Sequence, residues 1–432
     1  MLLRFGVSNY LSILDHQSLS LIATALTDTN ADLLTPNGLG RRVLPALALY
    51  GANASGKTNI LAAFQFLKRA VVESQTRGDA SGGLNLRKFA LKESARSEPS
   101  TVDCDMWIDG TRYHYGFTAS EDEFLSEWLY SYPKRRRRVE FFREGDQITQ
   151  AGESMGGEAK LRLLQSLMRK NSLFISVGAQ NNVHVLSTVY NWFATKTMRF
   201  SSTSSPDLGL TTLLGDADSL RVITDFVKSA DLGITGLELE TTKLSDETRK
   251  FGSELFEFFR KQLDSRLELR SPFQDEFPEE YKEIVLLHSG ETHDVSLSQN
   301  LESAGTLKLL RLLGPVLTTI RSGGVLFVDE MEANFHPLLT IKLLKMFTST
   351  STNPNGAQII FSTHDTNVLC SGIFRRDQIW FVEKARDGAS HYYALSDLAT
   401  RKSDSFERGY LEGRYGAIPF FGQLDALLQG ST

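Results

Sequence analysis

Residues Gly51-Ala52-Asn53-Ala54-Ser55-Gly56-Lys57-Thr58 satisfy the pattern GxxxxGK[ST] in full, between an apolar run and an amphipathic one. Glycine lets the backbone wrap phosphate oxygens, Lys57 brings a charge to the β- and γ-phosphates, and the Thr58 hydroxyl is a hard ligand for Mg²⁺. A second group of polar residues closes "GGVLFVDE", where the apolar stretch from Val325 to Val328 is followed by Asp329 and Glu330. A buried strand ending in an acid delivers that carboxylate to its C-terminal edge, where α/β sheets bind ligands. Asp329 is therefore the expected Mg²⁺ ligand, directly or through water, and Glu330 the expected base that orients or deprotonates an attacking water. "AQIIFSTHD" repeats the arrangement with Ser362, Thr363, His364 and Asp365. If its strand neighbours the one bearing Asp329, His364 lands near the γ-phosphate and can hydrogen-bond it or the water.

A further feature lies far from the phosphate loop. "NLESAGTLKLL" reads as a helix start, with Ser303, Gly305 and Thr306 opening onto leucines at helical spacing. Such an N-terminus presents unpaired N–H groups and a partial positive charge, so it attracts anions. An ordinary capped helix has the same sequence pattern.

The elements that must position these residues can be traced along the chain. "LLRFGVSNYLSILDHQSLSL" alternates apolar and polar residues in two short runs, which predicts two strands. An apolar strand then leads into the phosphate loop and a helix from about Lys57 to Glu73. From residue 100 to residue 150 the period-two pattern is broken by Asp109-Gly110 and Gly145-Asp146, the signature of hairpins. From Gly156 to Asp264 the pattern is mostly helical, as in "KLRLLQSLMRK" and "SLRVITDFVKSADLG". The remainder alternates helices with the buried strands of "GGVLFVDE", "AQIIFSTHD" and "DQIWFVEK", which is α/β organisation around a largely parallel sheet. The expected division is an N-terminal part over 1–150 with the phosphate loop and hairpins, a helical insertion over 151–275, a C-terminal part over 276–400 and a tail over 401–432.

Composition narrows the classes. A chain of 432 residues exceeds one typical domain, so two lobes, or a core with a large insertion, are expected. A net charge of −5 argues against coating DNA by bulk attraction, though not against a local basic groove. Two cysteines, Cys104 and Cys370, without a CxxC exclude a disulfide framework or a cysteine zinc site. No run approaches ~18 unbroken apolar residues, which points to a soluble, cytoplasmic protein with no membrane partner.

Together these motifs resemble the ABC-type ATPases of the SMC, RecF and OLD group, over nearly the whole chain. "FGVSNYLSILD" resembles their first strand and turn, where Asn9 to Ser12 approach the adenine side. "GANASGKTN" resembles their phosphate loop, with Asn53 and Asn59, and "LESAGTLKLL" a variant of their signature motif. "FVDEMEANFHP", "SEWLYSYP" and "YLEGRYGAIPF" are most similar to the OLD branch and to the ATPase subunits of bacterial abortive-infection and anti-phage systems of the RloA/AbiL type. The resemblance implies a P-loop fold with ATP and Mg²⁺ as cofactors. It also implies a homodimer or higher oligomer in which Ser303 and Gly305 of one copy bind the γ-phosphate held by another. Two departures stand out: the group has Asp at the position of His336, and no Q-loop glutamine is evident between Arg77 and Pro99.

The chain lacks the clustered C-terminal acids of a TOPRIM nuclease; Asp377, Glu383, Asp397, Glu407 and Glu412 are scattered. A destructive activity would then lie in a separate effector protein, encoded nearby. The insertion also lacks long heptad arms. The run from Lys134 to Arg138, flanked by Trp128, Tyr130, Tyr132, Phe141 and Phe142, could grip DNA or RNA or form a solvated hairpin tip. The favoured expectation is an ATPase that senses or regulates an effector in anti-phage defence. The alternatives are a RecF- or SMC-like DNA-repair ATPase and a nucleotide-dependent scaffold.

Overall fold

The computed structural model describes residues 1–28, 31–76, 82–201, 215–262, 279–333, 336–402 and 404–419. Strands β1 (Leu2–Ser8) and β2 (Gln17–Ser20) open the chain, and β3 (Ala46–Tyr50) leads into helix α1 (Lys57–Glu73). A meander follows, with β4 (Ser100–Ile108), β5 (Thr111–Ala119), β6 (Phe124–Ser131), β7 (Arg138–Glu144) and β8 (Gln147–Ala151). With β1 and β2 these form a seven-stranded sheet in the order β2-β1-β4-β5-β6-β7-β8. The Asp109-Gly110 turn is a two-residue hairpin in which Ile108 faces Thr111 and both turn residues have positive φ, 46° and 79°. That is the mirror-image turn whose twist matches the flanking strands.

The second sheet has six strands, with β3 near its middle. Strands β9 (Thr197–Phe200), β13 (Val325–Val328), β14 (Gln358–Ser362), β15 (Ile379–Lys384) and β16 (Ser390–Ala394) complete the order β16-β15-β3-β14-β13-β9. Every pairing is parallel except β15 with β16, and β3, β14 and β13 are buried along their lengths. Helix α1 lies between the two sheets because its apolar residues recur on more than one face: Ile60, Phe64, Leu67 and Val71, with Ala63, Phe66 and Ala70 beside them. Phe64 stacks on Phe327 of β13 at 4.1 Å and meets Phe5 of β1 edge-on at 5.2 Å, so one side chain ties both sheets together.

The chain divides into two compact units, Met1–Ser204 with Val316–Thr432, and Ser205–Pro315. The second unit differs from the expected helical insertion over 151–275. The helices Glu158–Ser166, Phe174–Gln180 and His184–Lys196 belong to the first unit, where Leu164, Phe174, Leu186, Val189 and Phe193 join its core. Within the second unit, β10 (Ile234–Lys243), β11 (Glu280–Ser289) and β12 (Asp294–Ser298) make an antiparallel three-stranded sheet, accompanied by the helices Ala217–Lys228 and Asp246–Gln262. The helix Ala304–Ser322 carries Pro315 in its interior, at the residue where the division between units falls.

One buried network secures the meander to the helical segment. Glu127 of β6, fully buried, accepts from the Phe174 and Ile175 backbone N–H groups at 2.6 and 3.0 Å and from the Tyr115 hydroxyl at 3.0 Å. Its carboxylate thereby satisfies the first N–H groups of the helix Phe174–Gln180. Arg143 of β7, also fully buried, lies 3.6 Å from Glu127 and donates to the carbonyls of Gly145 and Ser172. Glu127→Ala leaves the Arg143 charge and two helix N–H groups uncompensated in the interior. The expected loss is about 3–5 kcal/mol of unfolding free energy in denaturant titration. Breaking the exposed Arg162–Glu158 pair, whose side chains are 76% and 77% accessible, should change it by less than about 1 kcal/mol.

Candidate functional site

The phosphate loop leaves the C-terminal end of β3 and turns into α1 at Gly56. Gly56 has φ 115°, a left-handed conformation that L side chains rarely adopt, and Ala54 has φ 61°. The glycines also answer to packing from behind. A Cβ on Gly51 would overlap the Val382 carbonyl of β15, and one on Gly56 would overlap the Ser390 hydroxyl of β16. Ser390 Oγ donates to the Ser55 carbonyl at 2.5 Å, and the Tyr392 hydroxyl donates to the Gly56 carbonyl at 2.7 Å. Ser12 joins this backing, with Asn59 Nδ2 donating to its Oγ at 2.6 Å and Ser390 Oγ at 2.6 Å from it. The C-terminal strands and the first turn of the chain thus hold the loop's shape.

Lys57 Nζ donates to the carbonyls of Gly51 and Ala52 at 2.8 and 3.0 Å. An ammonium has three donors, so one remains for a ligand. Burial lowers the Lys57 pKa, while the carboxylates of Glu332, Asp329 and Glu330 oppose that shift. The Ser55 hydroxyl is buried without a hydrogen-bond partner, as a donor awaiting an oxygen ligand would be.

Strand β13 pairs in parallel with β14, Val328 facing Phe361, so the acids and His364 emerge on the same sheet edge. Thr58 Oγ1 donates to Asp329 Oδ1 at 3.2 Å, and Ser362 Oγ donates to the same oxygen at 2.6 Å. Ser362 Oγ also accepts the Glu330 N–H at 2.8 Å. Glu330 has φ 51°, a strained conformation for a non-glycine residue, fixed by that hydrogen bond. Two further residues belong to this cluster: Ser362, which the sequence places at a strand end without a role, and Glu332, which it does not single out. Ser362 couples Asp329 to the Glu330 backbone, and Glu332 accepts the His364 N–H at 2.6 Å while its other oxygen is buried and unpartnered. Their only sequence signals are Ser as the last residue of an apolar strand and an acid two positions beyond Glu330.

Thr58, Asp329, Glu330 and His364 therefore share one sheet edge with the loop residues Gly51 to Asn59. Ser303 and Gly305 lie in the second unit. There the Ser303 hydroxyl accepts the Thr306 N–H at 3.1 Å, making it the N-cap of the helix Ala304–Ser322. His336 is likewise an N-cap: its Nδ1 accepts the Leu338 N–H at 3.3 Å ahead of the helix Pro337–Thr348, a task an Asp performs as well. In the stretch between Arg77 and Pro99, residues 77–81 lie outside those described. In "YLEGRYGAIPF", whose Phe420 lies outside the described residues, Tyr410 packs on Tyr50 at the end of β3 at 5.7 Å, and Tyr410 and Tyr415 stack on Phe381 of β15. Among the described residues no helix is long and apolar enough to cross a membrane.

Partial burial lowers the pKa of His364, and the Lys57 charge lowers it further, against Glu332 and Glu330. A His with a depressed folded pKa is neutral at pH 7, and its folded state is penalised only as pH falls below the ordinary value near ~6.5. An NMR titration of the His364 ring should give a midpoint below that value. Glu332→Gln should move the midpoint further down and Lys57→Ala should move it up. A midpoint indifferent to both would mean that the three groups are not electrostatically coupled.

The family described as "AAA domain, putative AbiEii toxin, Type IV TA system" matches residues 47–371, which run from β3 to just beyond His364. No curated protein matches the chain. Among solved structures, the SMC head bound to the C-winged helix domain of ScpA is similar at 14% identity and a TM-score of 0.42, covering 91% of this chain and 97% of that one.

Proposed function

We propose, from the premise that this chain belongs to that AAA-domain family, that it binds and hydrolyses ATP with Mg²⁺. One observation carries the proposal: the hydroxyl of the phosphate-loop Thr58 and the strand-end carboxylate of Asp329 meet within 3.2 Å. Both are hard oxygen donors, a set that suits Mg²⁺ held jointly with phosphate oxygens. The ion, when bound, supplies neutralising charge to the β- and γ-phosphates. Lys57 contributes its remaining N–H and its charge to the same phosphates, and the loop N–H groups and the Ser55 hydroxyl face them. Glu330 holds the attacking water and takes its proton, with its backbone pinned by Ser362. His364, neutral at pH 7, serves as a hydrogen-bonding partner to the γ-phosphate or the water.

The catalytic unit in this reading is a pair of chains. Ser303, as an N-cap, already has the helix start behind it, so a γ-phosphate held by another copy would meet a hydroxyl, N–H groups and the positive end of the helix together. The family description, with its toxin and its TA system, supports a place in bacterial defence. ATP hydrolysis there would time the release or restraint of a separate effector, in the manner of the OLD-like anti-phage ATPases.

Glu330→Gln should keep ATP binding and lower turnover by about 100-fold or more, because the base is gone while the donors to phosphate and metal remain. Lys57→Ala should lose binding itself, read by calorimetry. Wild-type turnover in purified Glu330→Gln would refute the assignment of the base.

Self-association has its own test. Ser303→Arg should bind ATP but not close the shared site, and Lys57→Ala has the converse defect. Mixing the two inactive chains should restore activity to about a quarter of wild type, since about half of randomly exchanged dimers hold one intact site of two. Baseline activity with mixed dimers demonstrated by cross-linking counts against sites shared between copies. An active, strictly monomeric wild type excludes them.

A further inference from the structure

The basic run takes no part in the site described above, and its first two residues, Lys134 and Arg135, face a cavity. Lys134 and Arg135 close one side of a hollow of about 900 Å³ on the N-terminal sheet. Its floor is formed by β1 and β4, through Arg4, Asp105 and Trp107, and its far wall by the loop around Gly38, Gly40 and Arg41. The volume lies in the range of small-molecule sites, about 300–1,000 Å³, and is too small for a duplex.

Charge in this hollow is unbalanced. Five cationic side chains line it, Arg4, Arg41, Arg112, Lys134 and Arg135, against the single carboxylate of Asp105. That carboxylate is already engaged, by Arg4 Nε at 2.9 Å and by Arg112 Nε and Nη2 at 3.0 and 2.6 Å. Among the described residues Arg41, Lys134 and Arg135 form no ion pair, so three positive charges converge on one concavity without an acid to balance them.

The backbone holds them there at a cost. Lys134 and Arg135 are consecutive non-glycine residues in the left-handed region, φ 52° and 63°, a conformation that persists only where the surroundings impose it. Across the cavity, a Cβ on Gly40 would overlap the Arg135 guanidinium, so glycine lets that side chain lie over the loop. Planar surfaces accompany the charge. The Arg112 guanidinium sits 4.6 Å above the Tyr132 ring, and the half-buried Trp107 indole lies beneath Gly38.

We propose that this hollow binds a nucleotide unit, its phosphate held by Arg41, Lys134 and Arg135 and its base against Trp107 and Tyr132. The combination of unpaired cations and aromatic faces is the one that holds single-stranded nucleic acid and mononucleotides alike. The site is separate from the phosphate loop and does not depend on the ATPase reading.

The test uses the full chain with no ATP or ATP analogue added, since either would compete for the hollow. The probe is a fluorescein-labelled ten-residue thymidine strand, followed by anisotropy. Arg41→Glu and Arg135→Glu, on separate loops, should each weaken binding about tenfold or more and shrink the salt slope by about 0.7 per lost contact. Arg136→Glu removes the same charge one residue outside the cavity and should cost less than about threefold. Trp107→Leu should weaken binding while leaving the salt slope unchanged, the mark of stacking rather than charge. Thermal melts matching wild type would show that each variant is folded. Competition by thymidine monophosphate would identify a free nucleotide as the ligand, and its failure to compete would identify a strand. Equal losses in all three charge reversals, equal competition by a glutamate decapeptide, or no binding by wild type would each overturn the proposal.

Discussion

The nucleotide-facing edge of this protein depends on three neighbouring strands running in the same direction and ending level. Ser362 of β14 faces Leu49 of β3, and Phe361 of β14 faces Val328 of β13. With that register the phosphate loop, the His364 turn and the Asp329-Glu330 pair leave the sheet side by side, and the central strand can serve both neighbours. Ser362 does so with one hydroxyl, which donates to Asp329 and accepts from the Glu330 backbone. A slip of one residue would turn Ser362 to the opposite face of the sheet and break both bonds. Parallel strands need long crossovers, which explains why residues that touch are separated by hundreds of positions in the chain.

The loop is also shaped from behind. Its glycines are usually explained by the phosphates in front, but here Val382 and Ser390 leave no room for a side chain at Gly51 or Gly56. Ser12, Ser390 and Tyr392 fix its carbonyls at Ser55 and Gly56 and its neighbour Asn59 by hydrogen bonds. Preorganisation of this kind lowers the ordering cost that binding would otherwise incur. The anion cradle is thus a product of both ends of the chain and of the strand pair β15–β16, well away from the eight residues of the motif itself.

A net charge of −5 conceals two opposite local environments. At the phosphate loop a single buried Lys57 stands among Glu332, Asp329 and Glu330, a cluster with acids in excess whose charges oppose the lowering of the Lys57 pKa by burial. On the N-terminal sheet the cavity beside Lys134 and Arg135 has the reverse character, with cations in excess and its one acid committed. Average composition could not distinguish these, because what a ligand meets is the field inside a concave, partly desolvated space.

Local signals made much of this legible in the sequence. The phosphate loop, its helix from Lys57 to Glu73, the apolar strand from Val325 to Val328 and the Asp109-Gly110 turn all stand where pattern and turn chemistry put them, since each is set by residues adjacent in the chain. The boundary of the second unit was not legible. The helices between Glu158 and Lys196 read as part of an insertion, yet their apolar faces found the core of the first unit, and amphipathicity says that a face will be buried without saying against what. Glu127 carries no signal of its own in the hairpin pattern; its role comes from Arg143 and from a helix start elsewhere in the chain, which enclose it. Ser362, Glu332 and the cavity cations owe their significance to the same cause. The sequence by itself determined which elements form and which residues could do chemistry; the register of the sheet and the packing of distant segments decided which of those residues meet, because neither hydrogen-bond partners nor local dielectric exists until the chain has closed around them.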